Sequence, residues 1–250
     1  MQILMLVILM GSNDAHAGAA FTALAQCYAK GYGTEVDMKK ALEAVDKAAE
    51  SNLSVFDMIS IAELLNQIEK SNIEKTKSEL AYEVLGDTIE LSAEQKALVE
   101  KLYKEARAGI EKLAEAGNVK AIKLLGDYYM KGIGGVEQDY AKAMELYEQA
   151  ADEDYADAQA QIAYMYQEGL GVEVSYERAM EWNNRASQQN NAQAQAQIGY
   201  MYHMGMGVTQ NLDEAGRWYS RAVDQGDPWA TVKLAQTELT NSQAYFEAHA

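Results

Sequence analysis

The side chains able to carry acid–base or metal chemistry are few and scattered. The 250-residue chain has three histidines, His16, His203 and His249, and one cysteine, Cys27. A zinc site needs three or four nitrogen, sulfur or oxygen ligands converging on one point. His203 has no second histidine, cysteine pair or carboxylate at ligand spacing. Cys27 sits beside Tyr28 in a packing stretch, where a thiol reads as a small buried group rather than an activated nucleophile. The acidic segment DEDYAD at 152–157 lacks the glycine and glutamate that a calcium loop places at its sixth and twelfth positions. Glycine pairs such as Gly169 and Gly171 have neither the preceding strand nor the third glycine of a phosphate cradle. No catalytic residue, metal ligand or cofactor is assigned, and the expected chemistry is non-covalent recognition.

Residues suited to recognition do recur. Tyr164 and Tyr200 occupy equivalent places in two copies of one sequence unit, followed by Gln167 and His203, with Lys123 and Asp127 on an earlier copy. A tyrosine offers a large contact area with a polar tip and loses little entropy on binding. What positions these six residues is a repeat. Residues 156–172 read ADAQAQIAYMYQEGLGV and residues 192–208 read AQAQAQIGYMYHMGMGV, identical at twelve of seventeen places. Ordinary composition would give about one match. Taking Ala20, Ala121, Ala158 and Ala194 as position 0 aligns four units, each with a tyrosine at +8 (Tyr28, Tyr129, Tyr166, Tyr202) and a glycine at +11 (Gly31, Gly132, Gly169, Gly205). A second glycine follows, and one unit carries an extra residue, Gly135, in this turn.

Each unit reads as a helical hairpin. Small or apolar residues at 0, +4, +5 and +8, such as Ala158, Ile162, Ala163 and Tyr166, form one helical face. The glycines end that first helix. Asp37, Asp139, Ser175 and Asn211 then stand at one place as N-caps of a second helix. That helix carries alanines seven residues apart (Ala143 and Ala150, Ala179 and Ala186, Ala215 and Ala222), which permit close approach. Trp182 and Trp218 between them read as seam packing. On the first helices, positions +2, +6, +9 and +10 point away from the packing face by rotation of 100° per residue, which places Lys123, Asp127, Tyr164, Gln167, Tyr200 and His203 on a concave partner-binding side.

These residues resemble the Sel-1-like repeat family, a relative of tetratricopeptide repeats, with the pattern A-x3-L-G-x2-Y-x2-G-x-G-V followed by D-x2-K-A-x2-W-Y-x-K-A-A. The unit AIKLLGDYYMKGIGGVEQDYAKAMELYEQAA from Ala121 carries it closely. The resemblance covers 20–52 and 119–227 and implies an all-α fold, a right-handed α-solenoid of tandem helical hairpins. It also implies a non-catalytic scaffold or adaptor for a protein or peptide, of a kind frequent in bacterial secretion, signalling and protein quality control. A cysteine-stapled branch of the family is linked to β-lactam chemistry; this chain, with one cysteine, departs from that branch. A secreted enzyme of the cell-wall or β-lactam hydrolase type, or a purely structural assembly element, are the alternative functions.

The remaining segments are read as follows. Residues 1–17 hold an apolar run, MQILMLVILM, and an A-x-A arrangement at Ala15 and Ala17, expected of a signal peptide and hence of a periplasmic or secreted protein. No lysine or arginine precedes the run, so an N-terminal helix over the first repeat in a cytoplasmic protein is the alternative. Residues 18–53 form an N-terminal repeat. Residues 54–118 depart from the pattern, as a degenerate repeat with an insertion or a hinge; Val55, Phe56, Ile59, Leu64, Leu65 and Ile68 give a helical stripe, a short helical pattern runs from Ala81 to Leu85, and Ser92 with Gln95 makes a capping box for a helix to about Ala116. Residues 119–227 hold three tandem repeats, and 228–250 a capping helix opened by Pro228. A formal charge of −17 argues against nucleic acid and anionic membrane and makes a basic partner the complementary one.

Overall fold

The fold is taken from a computed structural model, which describes residues 19, 21–26, 29, 38–49, 53–76 and 91–248. The apolar run with Ala15 and Ala17, His16, Ala20, Cys27, Tyr28, Gly31, Asp37, the 81–85 pattern and His249 lie outside the described residues. Every regular element among the described residues is an α-helix: α1 Met38–Ala49, α2 Val55–Thr76, α3 Ala93–Glu115, α4 Val119–Lys131, α5 Tyr140–Asp152, α6 Ala156–Glu168, α7 Tyr176–Gln188, α8 Ala192–Met204, α9 Leu212–Asp224 and α10 Pro228–Ala248. The chain divides into two compact units, Met1–Lys112 with Gly132–Glu137, and Leu113–Lys131 with Gln138–Ala250.

In the first unit the departure from the repeat pattern still produces paired helices. Val55 at the start of α2 lies against Gly109 near the end of α3, and Asn66 Nδ2 donates to Tyr103 Oη at 3.1 Å, so α2 and α3 run antiparallel. Both are capped at their N-termini. Ser92 and Gln95 exchange hydrogen bonds at 3.1 Å as the capping box requires, and Ser54 with Asp57 forms a second one at 3.3 and 3.2 Å that the sequence reading had not singled out.

The second unit is built from tandem hairpins, α4/α5, α6/α7 and α8/α9, closed by α10. Position 0 is fully buried in each (Ala121, Ala158, Ala194, Ala230), as are Ala143, Ala150, Ala179, Ala186, Ala215 and Ala222 on the second helices. Asp139, Ser175 and Asn211 accept hydrogen bonds from first-turn amides at 2.9–3.3 Å, as N-caps do. The hairpins bury more of the first helix than the +0, +4, +5, +8 face. Position +7 holds Tyr128, Met165 and Met201, all buried, and position +2 holds Ala160 and Ala196, also buried. A helix lying between its own partner and the hairpins on either side is covered on more than one face, which a single-stripe reading does not anticipate.

Two further registers recur. Four residues before each packing alanine stand Gly117, Asp154, Asn190 and Gly226, all with positive φ (82°, 58°, 59°, 83°). Asp and Asn are the non-glycine residues that best tolerate this left-handed turn. One residue later, Asn118, Asn191 and Asp227 cap the first helices, their side-chain oxygens accepting from the amide of the packing alanine at 3.0, 2.9 and 2.7 Å. Gln189 donates to Gln159 at 3.1 Å and Gln225 to Gln195 at 2.7 Å, so the same amide contact ties the ends of α7 and α9 to the first helices of their units.

The glycine pair has two jobs. Gly169 and Gly205 close α6 and α8 in the left-handed conformation, φ 68° and 71°. Gly171 and Gly207, left-handed as well at φ 71° and 67°, also allow close approach: a Cβ there would fall 2.6 and 2.8 Å from the Cβ of Tyr140 and Tyr176, each at the start of the preceding second helix.

Candidate partner-binding surface

Lys123 and Asp127, one turn apart on α4, form an ion pair at 2.8 Å with side chains only 16% and 15% exposed. The other Asp127 oxygen accepts from Tyr147 Oη at 2.8 Å. Burial, followed by the Asp127 charge and hydrogen bond, pushes the Tyr147 phenol well above its ordinary range. The carboxylate thus bridges both helices of one hairpin, and both its oxygens are engaged.

Tyr164 stands on α6 and is 39% exposed. Gln167, one turn on, is not on an open surface: it is 7% exposed, its amide nitrogen donates to Glu168 at 3.0 Å, and its oxygen is buried with no protein partner among the described residues. Position +9 is buried at Met130 as well, so the expected outward orientation of +9 gives way to inter-hairpin packing.

Tyr200 and His203 on α8 are half-buried beneath α10. The Tyr200 ring meets Trp229 edge-on at 5.7 Å between centroids, and the Lys233 ammonium lies 5.6 Å from the Tyr200 ring and 5.5 Å from the Trp229 ring. His203 Nδ1 is 3.0 Å from Thr237 Oγ1. Because that hydroxyl donates to the Lys233 carbonyl at 2.8 Å, it accepts from Nδ1–H, which assigns the tautomer from the network. Burial, then the Lys233 charge, holds the imidazole below its ordinary value of 6.5.

The structure therefore pairs Lys123 with Asp127 and puts Tyr200 with His203 under the last helix, while Tyr164 projects from the hairpin between and Gln167 turns inward. The six do not close around a single cavity. Sequence reasoning missed Trp229, Lys233 and Thr237, although their i, i+4 spacing after Pro228 marks one helical face. It also missed Arg178, whose guanidinium stacks 5.3 Å from the Tyr166 ring and borders a shallow surface pocket with Val172, Val174 and Ser175. Trp182 and Trp218 are half-buried, each under an arginine one turn on, Arg185 at 4.5 Å and Arg221 at 4.4 Å. In the acidic segment Asp152, Glu153, Asp154 and Asp157 are all exposed, Asp154 accepting from Gln159 and Gln189 and Asp157 from Asn191. Among the described residues no helix is long and apolar enough to cross a membrane.

A crystal structure of a Sel1 repeat protein from Oxalobacter formigenes is similar over 88% of this chain and 77% of that one, at 25% identity and a TM-score of 0.50. A protective antigen present in uropathogenic Escherichia coli strains, with an SLR fold, is similar over 88% of this chain and 40% of that one, at 26% identity and a TM-score of 0.46. No curated protein matches. The Sel1 repeat model matches residues 19–53, 119–155, 156–191 and 192–227, more than half of the sequence. With the buried alanines and capped hairpins recurring in that same register, the chain belongs to the Sel1 repeat family.

Proposed function

We propose that this chain is a non-catalytic scaffold that holds a peptide or protein partner along its first-helix row, with Tyr164 as the central anchor. Sel1 repeat proteins generally serve as interaction scaffolds. The observation carrying the finer reading is the exposure of Tyr164 on α6, while the equivalent Asp127 and Tyr200 are engaged by their own neighbours. Lys123, Asp127, Tyr200 and His203, each half-buried, flank it as a rim, and Gln167, turned inward, supports it from beneath. The net charge of −17 favours a basic partner. Residues 1–17 act in this proposal as an export leader, placing the scaffold in the periplasm or outside the cell; sequencing the N-terminus of the mature protein tests that.

Tyr164→Ala is the direct test. The side chain is 39% exposed and makes no ring contact among the described residues, so helical circular dichroism stays unchanged while a partner captured from the native host, identified by mass spectrometry, is lost. Capture at wild-type level rejects Tyr164 as the anchor.

A further inference from the structure

The last helix presents a face that its counterparts cover. Of the large apolar side chains left exposed among the described residues, Trp229, Val232 and Leu239 all belong to α10, and the others are scattered. The repeat explains why. Relative to the packing alanine, Val232, Ala235 and Leu239 occupy +2, +5 and +9. In the complete hairpins +2 is Lys123, Ala160 or Ala196, +5 is Gly126, Ala163 or Gly199, and +9 is Met130, Gln167 or His203, all buried except Lys123 and His203, which are half-buried. On α10 the same three places are open, Val232 at 55% and Leu239 at 70% exposure. At +5 the glycines lie directly under a tyrosine of the returning second helix, Tyr147 or Tyr219. Asn241 replaces the +11 glycine and α10 runs on to Ala248, whereas α6 and α8 stop at Glu168 and Met204, so no hairpin turn forms there. The opposite side of α10 is already used: Ala230 is buried, and Leu234 packs against the cluster that holds Ala196, Ala215, Tyr219 and Ala222.

We infer that this open face is a self-association surface, in which α10 of a second copy occupies the place that the second helix takes in the complete hairpins. Two properties point to a copy of this chain. A second helix runs antiparallel to the first in every hairpin, and a two-fold contact between two α10 helices is antiparallel too. Centred between Ala235 and Gln236, it sets Val232 of one copy opposite Leu239 of the other, with the small Ala235 allowing close approach. The stripe Val232, Ala235, Gln236 and Leu239 also carries no formal charge, whereas each copy bears −17, so this neutral face is where two acidic chains can meet with least repulsion.

Sedimentation velocity on the full chain over about three decades of concentration is expected to show a monomer–dimer equilibrium. Val232→Glu with Leu239→Glu weakens it by roughly a hundredfold with unchanged circular dichroism. The register has its own test. In a Cys27→Ser background, chains carrying Val232→Cys mixed with chains carrying Leu239→Cys form a disulfide-linked dimer. Either alone does not, because like residues lie about 10.5 Å apart along the axis, beyond disulfide reach. A wild-type chain that stays monomeric, a dimer indifferent to the two glutamates, or links favouring like residues would each overturn the inference.

Discussion

Gly199→Ala probes a close helix approach in the second unit. A Cβ on Gly199 would sit 2.8, 2.9 and 3.1 Å from three atoms of the Tyr219 ring. That ring has nowhere to go: Tyr219 is fully buried, with Trp229 at 6.1 Å and His203 at 6.4 Å between centroids. Overpacking of this kind costs about 1–3 kcal/mol. Against it, alanine gains about 1 kcal/mol of helix propensity over glycine, leaving a net loss of about 0–2 kcal/mol. The corresponding positions across the hairpins make the test sharper. Gly126 faces Tyr147 and Gly199 faces Tyr219, but where the first helix carries Ala163 the second carries Asn183. Tyr219→Asn alone opens a cavity and costs about 2–5 kcal/mol, in the range for large-to-small core changes. No hydrogen bond is lost there, since Tyr219 Oη has no protein partner among the described residues. Combined, Gly199→Ala fills part of that cavity and relieves its own clash, so the double substitution is less destabilising than the sum by about 1–2 kcal/mol. Urea titration of the four proteins, followed at 222 nm, gives the coupling. Additivity within about 0.5 kcal/mol would refute the idea that these two side chains set the spacing of the hairpin.

Further outcomes follow from single contacts. Asp127→Ala should cost about 1–3 kcal/mol by urea titration, because it leaves Tyr147 Oη buried and unpaired and frees Lys123; Asp127→Asn should recover part of it by still accepting from Tyr147. Asn211→Ala should lose about 1 kcal/mol, since one oxygen serves two amides of α9 at 3.1 and 3.0 Å. His203 has a folded-state pKa below 6.5, so the unfolded chain binds the proton more readily. The contact between α8 and α10 is therefore at full strength above 6.5 and weakens as pH falls below it, and His203→Gln should remove that part of the pH slope in thermal melts. Nitrocefin should not be turned over by the purified protein; turnover sensitive to substitution of polar residues would favour the hydrolase alternative.

The hairpin architecture was legible because it depends on small residues in strict register: an alanine at position 0 and a glycine at +11 serve the same purpose wherever they occur, and Ala158 and Ala194 can be aligned by eye. Asp139, Ser175 and Asn211 were equally readable, since capping needs only a short side chain with an acceptor. Less legible were places where the same job is done by chemically unlike residues. Gly117, Asp154, Asn190 and Gly226 share a left-handed turn without sharing a residue type. The candidate surface was harder still. Amphipathic spacing separates a helix into two faces, but α6 and α8 are each packed by several neighbours, so Gln167 is buried where rotation alone turned it outward. Rotation alone puts Tyr200 and His203 on an open concave side, because the covering residues, Trp229 and Lys233, come from a helix whose glycine and tyrosine signatures are replaced by Asn241 and Glu238.

The most direct measurement places a photoactivatable cross-linking amino acid at position 164, and separately at the exposed Glu181 of α7, in chains expressed in the native host. A scaffold that grips its partner along the first-helix row gives a discrete cross-linked protein from position 164 and none from 181. Cross-links of equal yield from both positions, or from 181 alone, would contradict it.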